Sequence, residues 1–109
     1  MIHKMRLLES PFERIKNGTK TVEFRLYDEK RKQIKIGDKI EFSKLPDEKE
    51  KLVVEVIDLY IDNTFEELLK KLDFSQEEID SKLKTINSIY TKDQEKEYGV
   101  LGIKIKLLS

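Results

Sequence analysis

The sequence contains no cysteine and a single histidine, His3, among its 109 residues. The absence of cysteine excludes disulfide bonds, thiol nucleophiles and thiolate metal sites. One imidazole does not supply the ligands of a dedicated zinc site, so we expect neither a metal nor a cofactor. No apolar run reaches the length of a membrane span or of a signal-peptide core. We therefore expect a soluble cytoplasmic protein without a membrane partner.

Charge is what the chain has in abundance, with 22 basic and 22 acidic residues that cancel formally. This balance argues against indiscriminate nucleic-acid binding. The distribution is uneven, however: residues 1–54 carry 14 basic and 10 acidic residues, whereas residues 55–109 carry 8 and 12. Between Arg14 and Lys39, nine basic residues stand against four acidic ones. The first half is thus a candidate polyanion-binding region, while the acidic second half is also what a solvated helical surface produces.

The length and the 38% hydrophobic content predict a single domain over residues 1–109. Apolar spacing and turn residues predict the element order β-α-β-β-β-α-α-α-β. The predicted strands are 3–8, 20–27, 33–42, 52–61 and 100–108. The third is expected to form two short β segments around a Gly37-Asp38 turn, and the fourth to be buried on both faces. We expect an α+β fold, a small and mostly antiparallel β-barrel flanked by helices, with one helix after strand 1 and a helical insertion before the last strand.

End signals define the predicted helices. In the first, over residues 10–18, Ser10 and Glu13 have the spacing of a capping box, Pro11 suits the first turn and Gly18 suits the left-handed stop. Three further pairs with capping-box spacing open the helices of the insertion: Thr64 with Glu67, Ser75 with Glu78, and Thr91 with Gln94.

The strand that follows the first helix has more charge near its start than packing alone requires. Three charged residues lie within six positions there: Lys20, Glu23 and Arg25. Strict alternation places Glu23 and Arg25 on one strand face, where the structural alternative is an exposed ion pair worth about 0–1 kcal/mol. Lys20 falls on the opposite, apolar face. It either lies at the strand entrance just past Gly18 or points into the barrel mouth, where burial would favour the neutral amine that a nucleophilic lysine requires.

Four segments together resemble the ASCH domain (activating-signal-cointegrator homology) family over about residues 3–107. They are the Pro-Phe helix, the complete motif Gly-x-Lys-x-x-Glu-x-Arg, the Gly-Asp turn and the ending Tyr-Gly-Val-Leu-Gly-Ile. The resemblance implies a PUA-like β-barrel and a cleft between barrel and helices that holds RNA or a nucleotide-like small molecule. The ligand-binding residues that it implies are Pro11, Phe12, Gly18, Lys20, Thr21, Glu23 and Arg25.

The resemblance also supplies an enzymatic alternative. One branch of the family resembles amidohydrolases acting on acylated cytidine, with a nucleophilic lysine at the position of Lys20, and other members are credited with ribonuclease activity. This chain has Glu23 where that branch has threonine, and near the expected glutamate it offers only Asp73. We therefore expect a binding module, with a small hydrolase that uses Lys20 and Glu23 as catalytic residues as the alternative.

The residue types suit a nucleotide. Arg25 offers a planar fork of donors for phosphate, Lys20 a compact charge, and Glu23 an acceptor for the amino edge of a base or a partner for Arg25. A basic track could extend the phosphate contacts or be merely solvated: Lys30, Arg31, Lys32 and Lys35.

For several other residues, a structural role in packing is the alternative to a functional one. Tyr27, Tyr90 and Tyr98 are candidate stacking platforms, although packing is their commoner role. Phe12 is expected to pack the first helix onto the sheet and Pro11 to shape the cleft wall. A third reading, a protein-interaction surface on the acidic helices between Glu66 and Glu97, has no pattern beyond amphipathic packing to support it.

Overall fold

A computed structural model describes residues 1–108 of the chain. The strands are β1 (Ile2–Leu7), β2 (Val22–Leu26), β3 (Lys39–Lys44), β4 (Lys51–Asp62) and β5 (Val100–Leu107). The helices are α1 (Glu9–Lys16), α2 (Phe65–Lys71), α3 (Gln76–Asn87) and α4 (Lys92–Tyr98). The α+β class and the predicted order of strands and helices are both confirmed.

The five strands belong to one sheet with the order β1-β3-β4-β5-β2. β1 runs parallel to β3, with Ile2 beside Lys39, and β3 runs antiparallel to β4, with Lys39 beside Glu55. A parallel pair needs a crossover connection, which α1 and β2 provide between β1 and β3. The sheet is therefore mixed at its β1 edge.

The chain divides into two compact units. The first comprises Met1–Glu23, Ile34–Leu59 and the segment from Ile103, and the second comprises Phe24–Gln33 and Tyr60–Gly102. Fully buried side chains in the first unit include Phe12, Ile40, Phe42, Val54, Val56 and Ile103. Those in the second unit include Phe65, Leu68, Leu69, Val100 and Leu101. Each unit thus has its own apolar core, and the expectation of a single domain stays a prediction.

The start of α1 differs from the predicted one. The helix begins at Glu9, and its N-cap is Leu8, which makes no side-chain capping bond. The predicted capping box of Ser10 and Glu13 is therefore wrong, because Ser10 already lies inside the first turn. The Glu13 carboxylate instead accepts from Lys44 Nζ at 3.2 Å. At the other end Gly18 has a φ of +86°, so the predicted left-handed stop is confirmed.

The other three helices begin at the predicted caps. Ser75 with Glu78 and Thr91 with Gln94 form complete capping boxes, in which each side chain bonds the backbone N–H of its partner. At α2 the Thr64 hydroxyl accepts from the backbone N–H of Glu67 at 3.1 Å. Local signals thus sufficed to place the start of these three helices.

The predicted turn at Gly37-Asp38 does not join two strands. Residues 31–33 form a single 3₁₀ turn, and the chain becomes a strand only at Lys39. Gly37 N donates to Val56 O at 2.8 Å, and Val56 N donates to Asp38 O at 2.8 Å. The prediction of a hairpin here is wrong because these residues pair with β4 rather than with the segment before them.

Strand β4 is less buried than its apolar sequence predicts. Leu52, Val54 and Val56 point into the core of the first unit. Ile57 and Ile61, however, are 39% and 55% exposed. The expected burial of both faces is wrong, since the strand has one covered face and one that is half-buried to exposed.

Candidate functional site

The loop between α1 and β2 is held by its own polar side chains. Asn17 Oδ1 accepts from the backbone N–H of Thr19 at 3.0 Å and from its hydroxyl at 2.7 Å. Lys20 N donates to Arg14 O at 3.0 Å, which ties the end of the loop to the last turn of α1. The left-handed Gly18 lets the chain reverse within these few residues. The backbone of Lys20 is therefore fixed before β2 begins.

Lys20 and Glu23 form a buried ion pair. Lys20 Nζ lies 3.4 Å from Glu23 Oε1, and their side chains are only 11% and 7% exposed. Lys20 precedes the first residue of β2, Val22, so strand alternation does not govern its direction. Lys20 therefore lies at the strand entrance just past Gly18, with its side chain largely shielded from solvent. Because Glu23 is buried, it is not part of an exposed ion pair on a strand face.

The remaining predicted ligand-binding residues differ in accessibility. Gly18 and Thr21 are exposed and Pro11 is half-buried. Phe12 is fully buried, as expected for a residue that packs α1 in place. Arg25 is half-buried and lies in the second unit, two residues after Glu23 along β2. The structure thus brings Lys20 and Glu23 into contact, and the contribution of the other members of the set stays a prediction.

Comparison with known proteins decides the family. The model of the ASCH domain matches residues 5–109. The chain belongs to the ASCH domain family.

Solved structures agree. The crystal structure of the hypothetical protein PH0355 is similar with a TM-score of 0.83 at 36% sequence identity, covering 99% of this chain and 100% of that chain. The solution NMR structure of protein PF0455 from Pyrococcus furiosus is similar with a TM-score of 0.72 at 37% identity, covering 100% of this chain and 99% of that one. No curated protein matches the chain at a significant level.

The basic track of this ASCH domain is partly neutralised by its own neighbours. Arg31 Nη1 lies 2.9 Å from Asp28 Oδ2. Lys32 Nζ lies 3.5 Å from Glu29 Oε1 and 5.6 Å from the centre of the Tyr27 ring. The side chains of the other two members, Lys30 and Lys35, are exposed. Of the four basic residues, these last two best suit contact with a polyanion.

The three tyrosines divide between packing and exposure. The ring of Tyr90 stacks on Phe65 with centroids 5.6 Å apart and an interplanar angle of 21°, which supports the packing interpretation. Tyr27 is half-buried and Tyr98 is exposed. Tyr98 is the tyrosine most accessible to a base.

A largely solvent-exposed network of ion pairs surrounds Glu50 in the first unit. Lys16 Nζ donates to Glu50 Oε2 at 2.6 Å, and Lys44 Nζ lies 3.0 Å from Glu50 Oε1. The hydrogen bonds to Glu50 raise the pKa of both lysines, and those from Lys16 and Lys44 lower the pKa of Glu50. Lys44 Nζ also lies 5.5 Å from the ring centre of Phe12, which adds a cation–π contact to α1.

His3 has a structural partner. Its Nε2 lies 2.8 Å from Asp38 Oδ2, and the same oxygen accepts from Lys35 N at 3.0 Å. The hydrogen bond with His3, followed by that from Lys35 N, lowers the pKa of the Asp38 carboxyl. This bond ties β1 to the residues that precede β3.

Sequence analysis missed a cavity in the second unit. It has a volume of about 410 Å³ and is lined by Asn63, Thr64, Lys92, Glu95, Lys96 and Gly99. The signal was the spacing of residues 92, 95 and 96, which places them on one face of α4, with Gly99 directly after the helix. Gly99 has a φ of +75°, which strains any other residue, and a Cβ there would make a tight contact of 3.1 Å with Asp62 O.

None of the helices within residues 1–108 has the length and apolar character that crossing a membrane requires. No group of three or more potential metal ligands occurs in that part of the chain either.

Proposed function

We propose that this ASCH domain binds RNA or a nucleotide at the pair Lys20–Glu23 and performs no chemistry on it. The observation that carries the proposal is the burial of both charges, which are 11% and 7% exposed. A buried ion pair is often no more stabilising than apolar residues of the same volume, because both ions lose their hydration. A recognition role accounts for keeping such a pair where folding gains little from it.

The pair has the hydrogen-bonding groups that recognition of a nucleotide base requires. An ammonium donates up to three hydrogen bonds, and a carboxylate only accepts them. Lys20 and Glu23, 3.4 Å apart, therefore offer a donor beside an acceptor, the complement of the polar edge of an unpaired base. Because both side chains are largely shielded from water, a base with the wrong edge would leave a charged group unsatisfied, and this favours discrimination.

Affinity for the backbone is assigned to other residues. We expect Arg25 to contact a phosphate, as the motif predicts, and the exposed Lys30 and Lys35 to contribute contacts that depend on salt. Membership of the ASCH family supports nucleic-acid association in general. It also supports our inference that the five-stranded sheet is a PUA-like barrel, acting in the cytoplasm where RNA and nucleotides are found.

The experiment is a titration of short single-stranded RNA against the full chain at several salt concentrations, followed by fluorescence anisotropy. The decisive variant is the double substitution Lys20→Met with Glu23→Leu, which removes both buried charges at similar volume and so preserves folding. We expect it to weaken binding at least about tenfold with an unchanged salt slope, because base contacts release no counterions. Lys104→Ala, an exposed lysine on β5, is the matched control.

The phosphate contacts have their own signature. Lys30→Ala and Lys35→Ala should each reduce the slope of log affinity against log salt by about one. Arg25→Ala tests its predicted phosphate contact by the same measure. Binding of equal strength by wild type and the double variant would refute the proposed site, and affinity indifferent to salt would refute the phosphate contacts.

The burial of Lys20 favours one second candidate, a small hydrolase. The Lys20 ammonium would become a nucleophile only after losing a proton, and the Glu23 carboxylate beside it is placed to act as the base that accepts this proton. Incubation with N4-acylated cytidine and with RNA, analysed by mass spectrometry, tests this candidate. Turnover that Lys20→Ala abolishes would establish it, and turnover no greater than in Lys20→Ala would eliminate it.

A further inference from the structure

The cavity of the second unit lies outside the proposed RNA site and contains a buried acid. The Glu95 side chain is 3% exposed, although its neighbours along α4 are solvated. Glu95 Oε1 accepts from the backbone N–H of Phe65 at 2.9 Å, which satisfies one of the free N–H groups at the start of α2. This bond satisfies Glu95 Oε1 but not Glu95 Oε2.

The second oxygen lacks a hydrogen bond. Within residues 1–108, Glu95 Oε2 is shielded from solvent and accepts from no donor. The ammonium of Lys92 lies 3.3 Å away, close enough for attraction but without the geometry of a hydrogen bond. An unsatisfied buried carboxylate oxygen is costly, so its presence calls for an explanation, and a bound group that donates to it is one. Lys92 is 67% exposed, so its side chain can move aside to admit a donor.

The rim of the cavity carries the opposite charge. Lys92 and Lys96 are one helical turn apart on the face of α4 that lines the cavity. Two ammonium groups so spaced attract a phosphate or a carboxylate. A simple anion in the cavity would be repelled by the Glu95 carboxylate, and a simple cation would be repelled by the two lysines. A ligand that carries both an anionic group and a donor satisfies all three.

We propose that this cavity binds a small anion that carries an amino or hydroxyl donor. Its phosphate or carboxylate pairs with Lys92 and Lys96, and its N–H or O–H group donates to Glu95 Oε2. The volume of about 410 Å³ is at the lower end of the range for ligand pockets, which suits a small metabolite rather than an oligonucleotide.

The test is an NMR titration of the full chain that follows the backbone amides of Asn63, Thr64 and Gly99. Phosphoethanolamine and β-alanine are the bifunctional probes, and they separate a phosphate ligand from a carboxylate ligand. Inorganic phosphate and ethanolamine are the matched single-function probes. We expect saturable shifts with at least one bifunctional probe, and binding at least about tenfold weaker for each half of it.

Variants assign the contacts. Lys96→Ala and Glu95→Gln should each weaken binding at least about tenfold, since each removes one charged partner. Lys70→Ala is the control, because Lys70 pairs with Glu66 at 3.5 Å and does not line the cavity. If Glu95→Gln folds poorly, Lys96→Ala decides the matter, because that side chain is exposed.

Three results overturn the proposal. The first is no saturable shift of these amides up to roughly 10 mM of either bifunctional probe. The second is inorganic phosphate or ethanolamine binding as well as the bifunctional probe does. The third is an equal loss of binding in Lys96→Ala and Lys70→Ala.

Discussion

Two lysine–glutamate pairs in the first unit differ in both distance and exposure. Lys16 and Glu50 approach to 2.6 Å with side chains 51% and 38% exposed, whereas Lys20 and Glu23 are 3.4 Å apart and nearly buried. The shorter contact is the one in water, where screening and side-chain entropy reduce its worth. The longer contact lies where an unpaired charge would be costly. Exposure, rather than distance, therefore ranks the two pairs.

The largest effect expected from this comparison is the loss of one buried charge. Glu23→Ala leaves the Lys20 ammonium without its carboxylate, so it should lower the free energy of unfolding by about 3–5 kcal/mol. Urea denaturation of the full chain measures this. Lys20→Met with Glu23→Leu should restore most of the loss, since neither charge then remains. A loss below about 1 kcal/mol for Glu23→Ala would mean that the pair behaves like a surface pair.

The next effect concerns the glycine of the motif. Gly18→Ala forces a side chain into the left-handed region at φ +86° and should cost about 1–2 kcal/mol in unfolding free energy. There is no clash to add, since nothing lies within 4 Å of the new Cβ. Gly18→Asn is the control and should cost less, because asparagine tolerates this region. If the two variants are equally stable, backbone conformation is not what requires glycine here.

A smaller, pH-dependent effect is expected at Asp38. Its pKa is lowered from 3.8 by His3 and Lys35 N, so its stabilising contribution is fully present above that value and is lost as the pH falls through the lowered pKa. Asp38→Asn should therefore be less stable than wild type near neutral pH, and the difference should close under acid conditions. Thermal melts from about pH 7 to pH 3 test this. A difference that stays constant over this range contradicts it.

The smallest effect is expected at Glu50. The lysines lower its pKa from 4.5, so the network stabilises the fold above that pH and loses its effect as the pH falls through the lowered pKa. Glu50→Gln should reduce stability only slightly, and about 1 M salt should remove most of the difference because exposed charges are screened. Parallel melts at low and high salt measure it. A loss that persists in high salt would place Glu50 in the same class as Glu23.

Sequence alone predicted most of what is encoded locally, with the start of α1 as the exception. The element order, the caps at Ser75 and Thr91 and the left-handed Gly18 were all predicted, because each depends on residues a few positions apart. The predicted hairpin at Gly37-Asp38 failed because that segment is held from far along the chain. His3 bonds Asp38 across 35 positions, and Gly37 donates to Val56.

The candidate sites show the same limit. The motif identified Lys20 and Glu23, but alternation could not give the direction of a residue that precedes its strand. Glu95 was missed because it lies in a run of charged residues typical of a solvated helix. Its burial depends on a bond to Phe65 N, 30 positions away, which no local pattern predicts.

Gly99 fixes the point at which the chain leaves the helical insertion. Its N–H donates to Glu95 O at 2.7 Å, its carbonyl accepts from Tyr27 N at 3.0 Å, and a Cβ here would lie 3.1 Å from the Asp62 carbonyl oxygen. Three segments of the second unit thus meet at one residue where any side chain would be strained. Insertions and deletions among homologues should therefore spare this exit.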